Sequence, residues 1–241
     1  MRIIELSGKM GVGKDYVADE LIKILKAQDN KVERLAFADP LRRELDDIVR
    51  LIKCNESVES IAKNMRVTAD EIKHVVDLLD TDPQFNDPTF AMENRPKSYR
   101  ELMQYWGTDV RRARNKDYWV NKVVQTIRED TPFIDVFVVT DARFANEVRA
   151  IIQFPYAFTV RLNASDSLRE KRVENRDGVD PSSLELNHSS ENAINDDDVD
   201  MLKNFDMIAF STGNNGEDIA KDIAKEYLID PPFDNDDEPF E

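Results

Sequence analysis

Apolar residues along this chain follow two rhythms. Short, nearly continuous runs occur at residues 2–6 (Arg2, then Ile3-Ile4-Glu5-Leu6), 32–38 (VERLAFA), 133–141 (FIDVFVVTD) and 157–162 (AFTVRL). Runs of that length and density suit strands buried in a parallel sheet. Between them the spacing becomes helical. Val17, Leu21, Ile24 and Leu25 share one face of a helix over 16–25, and Asp39-Pro40 marks a helix entrance. The stretch 41–79 is helical and charged, too long for one helix, and predicts two or three. Residues 80–98 carry three prolines and little periodicity, which predicts a loop. Helical spacing resumes at 99–106, 118–128, 144–153, 165–175 and 216–228. Strands alternating with helices imply an α/β fold, a parallel sheet flanked by helices on both faces.

The chain has 241 residues, 41% of them hydrophobic, which suits one domain with insertions. The expected organisation is one domain over 1–228, with a helical insertion at about 46–98, and an acidic, disordered tail over 229–241. The formal net charge of −16 argues against nucleic acid as a partner, because backbone binding needs clustered Lys and Arg. One cysteine, Cys54, precludes an internal disulfide, and two histidines make a histidine-rich metal site unexpected. No leader-like stretch follows Arg2 and no run approaches the length of a membrane span, so the expectation is no membrane partner and a cytoplasmic location.

Chemistry enters with "SGKMGVGKD", residues 7–15, placed between the first strand and the first helix. The spacing Gly8 to Gly13-Lys14 is G-x-x-x-x-G-K, and three of the seven glycines fall within six residues. Such a loop points backbone N–H groups at phosphate oxygens, and Lys14 adds a point charge for the terminal phosphates. The next residue is normally Ser or Thr, whose hydroxyl ligates magnesium, but here it is Asp15. A second cationic cluster lies in "VRLNASDSLREKRVENRDG", where Arg169, Arg172 and Arg176 recur at spacings of three and four on one helix side. With a phosphate loop in the same chain they read as a clamp on transferring phosphoryl groups. The alternative is a solvated face paired with Asp166, Glu170 and Glu174.

The phosphate loop and this late arginine helix together resemble the nucleoside monophosphate kinase superfamily. More narrowly, "SGKMGVGKD", "FADPLRREL", "LMQYWGTDVRR", "DYWVNKV", "VVTDARFANEV" and "NHSSE" occur in the order seen in the deoxynucleoside monophosphate kinases of tailed phages. The resemblance covers most of residues 1–192, and in that family Asp does follow the loop lysine. It implies a P-loop kinase fold with a mobile lid at about 170–190, and transfer of the γ-phosphoryl group of ATP, with Mg2+, to a deoxynucleoside 5′-monophosphate. It tilts the assembly to a homodimer and the location to a host cytoplasm. Other readings are a P-loop kinase for another small acceptor such as dephospho-coenzyme A, or a DNA-associated NTPase or regulator.

Carried over position by position, the resemblance implies that Gly8, Lys9, Gly11, Val12, Gly13, Lys14 and Asp15 bind ATP, with Asp15 near the metal. Asp141 would ligate the metal or contact substrate, its alternative being a helix N-cap. Lys14, Arg143, Arg172 and Arg176 would serve the transferring phosphate. Asp39, Arg42, Arg43, Gln104, Gly107, Thr108 and Arg111 would form the acceptor side, with Gly107-Thr108 breaking the helix there. Tyr105, Trp106 and Trp119 read as core, and His188 as a local hydrogen-bonding residue. Separately, residues 57–76 carry a helix-turn-helix pattern, with Ile61-Ala62 on the first helix and Ile72 and Val76 on the second. Ala69, Asp70 and Glu71 open that second helix, and acidic residues there would be repelled by DNA phosphates.

Overall fold

The computed structural model describes residues 1–85, 87, 90, 98–177, 194 and 202–229. The chain divides into two compact units, one formed by 1–37 with the chain from Val123 onward, the other by Ala38–Lys122. The second unit is broader than the insertion expected at 46–98.

The first unit is built on a five-stranded, all-parallel sheet. Its strands are β1 (Arg2–Ser7), β2 (Val32–Ala36), β3 (Val136–Ala142), β4 (Ala157–Asn163) and β5 (Met207–Phe210), in the spatial order β2-β3-β1-β4-β5. Strand β1 is therefore central, and the residues following it leave the middle of the sheet at its carboxyl edge. In open parallel sheets that edge is where ligands bind. One face of the sheet, through Ile4, Leu6, Val138, Val160 and Leu162, packs on α1 (Lys14–Lys26) and on α9 (Gly216–Ile229), which presents Ile219 and Ile223. The opposite face is met by α7 (Ala145–Ile151), with Val148 and Ile151 fully buried. Helix α8 (Asp166–Asp177) follows β4.

Two details decide the site's geometry. Register between β1 and β3 slips at the carboxyl end, from Leu6↔Thr140 to Ser7↔Ala142. The extra residue is Asp141, with φ of +68°. A bulge at that place re-aims a side chain at the edge of the sheet. The second detail is Glu5, a carboxylate within an otherwise apolar central strand, which is completely buried.

The second unit is helical: α2 (Asp39–Lys53), α3 (Val58–Met65), α4 (Ala69–Asp80), α5 (Tyr99–Gln104) and a π-helical continuation over Tyr105–Arg112, leading to α6 (Tyr118–Asp130), which runs on into the first unit. Three helices thus fill the region read as two or three. Pro40 sits in the first turn of α2, where its missing N–H costs nothing. Leu45, Ile48, Ile61, Ile72, Val75, Leu79, Leu102 and Trp106 form the core. The helix-turn-helix pattern at 57–76 is a real helical pair. Arg66 turns with φ of +56°, and Thr68 caps α4 reciprocally with Glu71, whose carboxylate accepts the Thr68 N–H at 2.8 Å.

The helix does not break at Gly107-Thr108, as the sequence predicted; it widens into the π form. The physical reason is packing: a Cβ on Gly107 would come within 2.8 Å of the Leu41 side chain. The Gly107 carbonyl also accepts a hydrogen bond from Trp119 Nε1 at 3.0 Å. The glycine admits α2 at close range and its carbonyl finds a partner outside the helix. Among the described residues no helix is long and apolar enough to cross a membrane. The expected tail, beyond Ile229, lies outside the described residues, as do His188 and most of the expected lid.

Candidate active site

Strand β1 hands the chain to Gly8, and α1 takes it up at Lys14. Gly11, with φ of +78°, and Gly8 are where only glycine fits: a Cβ would lie 2.6 Å from the Arg169 carbonyl oxygen and 2.6 Å from the Leu162 carbonyl oxygen respectively. Gly13, with φ of +101°, caps α1, so the helix opens immediately at Lys14. Val12 is buried and anchors the loop. This is a backbone concavity at a helix N-terminus, which suits an oxyanion. The Lys14 ammonium lies across its own loop, donating to the Gly8 carbonyl and, at 3.1 Å, to that of Lys9. A cavity of about 220 Å³ opens beside the loop, between Lys9, Val12 and the Asn163–Arg169 turn into α8.

Arg169 and Arg172 of α8 approach the loop but are occupied by protein acceptors. Arg169 NH1 donates to the Met10 carbonyl at 3.2 Å, and its NH2 pairs with Asp166 at 2.6 Å. Arg172 NH1 donates to the carbonyls of Val12 at 2.7 Å and Gly11 at 3.2 Å. Its NH2 reaches Ser211 Oγ at 3.1 Å and the Gly213 carbonyl at 3.4 Å. Arg172 therefore braces the phosphate loop against the turn between β5 and α9. Arg176 lies on the last turn of α8.

On the neighbouring strand, the bulged Asp141 uses Oδ1 to accept the Phe37 N–H at 2.7 Å. It is not a helix N-cap: α7 begins at Ala145, and the orphan donors before it are met by Glu147, which accepts the N–H of Arg143 at 2.8 Å and of Phe144 at 3.1 Å. Glu147 is buried and holds the turn that carries Arg143. Below the loop, Arg161, also buried, donates from NH1 to Ser7 Oγ at 2.9 Å, and Ser7 Oγ donates to the Ala142 carbonyl at 3.1 Å. Glu5 sits on the same face as Ser7, and among the described residues neither of its carboxylate oxygens has a hydrogen-bond partner. Burial pushes its pKa well above the usual carboxylate range. Glu147 and Asp141 push in the same direction, and Arg161 and Lys14 oppose them.

Asp15 occupies the first turn of α1, where an acid suits the helix dipole. Its carboxylate is ion-paired with Arg34 of β2, which also reaches Asp19 at 2.7 Å. Asp15 and Asp141 are hard oxygen donors of the kind magnesium takes. Among the described residues no group of three or more potential ligands gathers to hold a metal by protein atoms alone.

In the helical unit, Arg42 is held from two sides, by Asp39 at 2.6 Å and by the Tyr99 hydroxyl at 2.9 Å from Nε. Arg43 is exposed, and Gln104 and Thr108 are half-buried. Arg111, expected as an acceptor contact, is instead enclosed by protein. Its Nε and NH2 both engage Glu44, its NH1 donates to the Met65 carbonyl at 2.9 Å, and the rings of Trp106 and Tyr118 each lie 4.9 Å from its guanidinium. Glu44 also accepts from Trp106 Nε1 at 3.1 Å and from the Tyr118 hydroxyl at 2.9 Å. Burial and the Glu44 charge push the Tyr118 phenol up to about 12. Glu44, Glu5, Glu147, Arg161, Arg34 and Tyr99 were not singled out from sequence. Two of them did leave a signal: Glu5 interrupts an apolar strand, and Glu44 falls on the buried stripe of α2 with Leu41, Leu45 and Ile48.

A central β1 running into a glycine cradle, with the strand order β2-β3-β1-β4-β5, defines an α/β protein of the P-loop, nucleoside monophosphate kinase-like fold. Comparison with protein-family models and with curated proteins gave no match. Among solved structures, TT1252 from Thermus thermophilus is similar, with a TM-score of 0.50 and 16% identity over 95% of this chain and 96% of that one. A shikimate kinase from Acinetobacter baumannii, in complex with shikimate, aligns at a TM-score of 0.43 and 13% identity over 95% of this chain and 94% of that one. At 16% identity the likeness to TT1252 is one of fold.

Proposed function

We propose that this protein is an ATP-dependent kinase that phosphorylates a deoxynucleoside 5′-monophosphate to the diphosphate. The observation that carries the reading is the cradle of Gly8–Gly13 leading straight into Lys14 at the carboxyl edge of the central strand. The acceptor class rests on the resemblance of the ordered sequence motifs to those of phage deoxynucleoside monophosphate kinases.

In this reading the loop N–H groups and Lys14 hold the β- and γ-phosphates of ATP. Arg143 and the α8 arginines, Arg172 and Arg176, neutralise charge that develops on the transferring group. For Arg172 that means exchanging carbonyl partners for phosphate oxygens. The bond from the γ-phosphorus to the β–γ bridging oxygen breaks, and a bond to an oxygen of the acceptor's phosphate forms. No general base is needed, because the attacking phosphate oxygen is already anionic, and positioning and charge neutralisation supply the catalysis. Magnesium, held through Asp15 and Asp141, would neutralise charge on the β- and γ-phosphates. Asp39, Arg42, Arg43, Gln104, Gly107 and Thr108 serve the acceptor. Arg42, held by Asp39 and the Tyr99 hydroxyl, would bind its phosphate, while Arg111 keeps its helix in place. The partners are small molecules, ATP and a deoxynucleotide, in a cytoplasmic setting, with the chain acting as a homodimer.

The test is ADP release with ATP, Mg2+ and a panel of deoxynucleotides, ribonucleotides and dephospho-coenzyme A, beside Lys14→Ala. Turnover that requires a deoxynucleotide and is lost in the variant is the expected result. Turnover with dephospho-coenzyme A alone would reassign the acceptor. Turnover with no acceptor, or equal activity in Lys14→Ala, would overturn the kinase reading.

A further inference from the structure

Asp15 creates an electrostatic problem for the loop that contains it. It places a full negative charge next to Lys14, at a site meant for a polyanion, in a chain whose net charge is already −16. The structure supplies a compensating charge from outside the loop. Arg34 lies in the middle of β2, level with Val138 of β3. Its NH2 pairs with Asp15 Oδ1 and its NH1 with Asp19 Oδ1 at 2.7 Å. Asp15 and Asp19, four residues apart on α1, present two carboxylates to one guanidinium fork.

Stability does not explain this arrangement. The side chains of Asp15 and Asp19 are 78% and 56% exposed, and ion pairs that open to water contribute little to folding. Charge beside a phosphate cradle is a different matter, because a bound polyanion experiences it directly.

We propose that Arg34 is a positioning and charge-compensating residue of the nucleotide site: it holds Asp15 on the β2 side of α1 and offsets its charge, so that a nucleoside triphosphate can bind a loop whose lysine is followed by an acid. This rests on reading Gly8–Lys14 as the triphosphate site. Arg34 acts through Asp15, and the two are therefore coupled: removing Arg34 harms binding only while Asp15 carries its charge.

The experiment is a calorimetric titration of the full chain with ATP, with and without Mg2+, for the wild type, Arg34→Ala, Arg34→Lys, Asp15→Asn and the double variant Asp15→Asn/Arg34→Ala. Thermal melts of the ligand-free proteins accompany it. Arg34→Ala is expected to weaken ATP binding about tenfold without Mg2+, the scale of one uncompensated charge at short range in a partly aqueous site, and less with Mg2+, whose charge would itself offset Asp15. The loss should shrink as salt is raised, and ligand-free melting should scarcely change. Arg34→Lys, which keeps the charge without the fork, should fall between. The double variant should bind as well as Asp15→Asn alone. Unchanged affinity in Arg34→Ala, or an equal loss in the Asp15→Asn background, would overturn the proposal. A wild-type chain that binds no ATP would remove the triphosphate reading itself, and this proposal with it, an outcome distinct from a binding wild type with an indifferent Arg34.

Discussion

Glu44 joins three side chains of the helical unit, Arg111, Trp106 and Tyr118. Replacing it with alanine would strand donors on three side chains at once. Arg111 is 7% exposed and would lose the carboxylate that meets two of its nitrogens. Breaking a buried pair from one side costs about 3–5 kcal/mol. Trp106, with no exposed surface, would also lose the acceptor of its indole N–H, a further ~1–3 kcal/mol. Two terms work the other way: Arg111 keeps the rings of Trp106 and Tyr118, and the small cavity left by truncation admits water to it. The net expectation is a loss of about 4 kcal/mol. The chain's two tryptophans, Trp106 and Trp119, both lie in this unit, so urea unfolding followed by tryptophan fluorescence reads it directly. The companion variant is Glu44→Leu/Arg111→Met, which removes both charges and leaves a chain of similar bulk. Because apolar replacement of a whole buried pair is often neutral, the double variant should recover the part of the loss due to Arg111, while Trp106 and Tyr118 still lack the Glu44 acceptor. If Glu44→Ala costs less than ~1 kcal/mol, or if the double variant is no more stable than the single, the cost of an orphaned Arg111 charge is not what governs this core. Should Glu44→Ala fail to fold, Glu44→Gln is the milder test: it removes the charge and exchanges one acceptor oxygen for a donor while keeping the shape.

Two further outcomes follow from the sheet unit. The folded-state pKa of Glu5 is raised, so the native state holds a proton that the unfolded chain releases at lower pH. Stability is therefore full below the ordinary carboxylate range and falls as pH rises from there toward the folded-state value. Glu5→Gln, a mimic of the protonated form, should melt like the wild type near pH 4 and above it at pH 8. Parallel curves at every pH would show that Glu5 is not buried as a neutral acid. Gly11→Ala must place a Cβ 2.6 Å from the Arg169 carbonyl in a left-handed conformation. It should cost about 1–3 kcal/mol in a melt and abolish the upward shift in melting temperature that the proposed function expects on adding ATP; an undiminished shift would refute the tightness of the cradle.

Periodicity and local chemistry made much of this molecule legible. The four apolar runs became β1 to β4, the glycine spacing became the cradle, and Asp39-Pro40 opened α2. Each depends on neighbours within a few residues, as in the alternation of faces along a strand or the φ freedom of Gly11. What escaped were the partners of long polar side chains. Arg172 read as a phosphate clamp and is found on the carbonyls of Val12 and Gly11, and Arg111 read as a ligand contact and is found on Glu44. Nothing along the chain announces that residues 67 positions apart will share a charge, or that Arg34 will reach back 19 positions to Asp15. The strand order, the bulge at Asp141 and the π-helical widening at Gly107 belong to the same group. A guanidinium can satisfy its donors on solvent, carboxylates, carbonyls or phosphates at similar free energy. Its residue type and spacing establish only that it is charged, and which acceptor it takes is decided by what the folded chain brings within hydrogen-bonding reach.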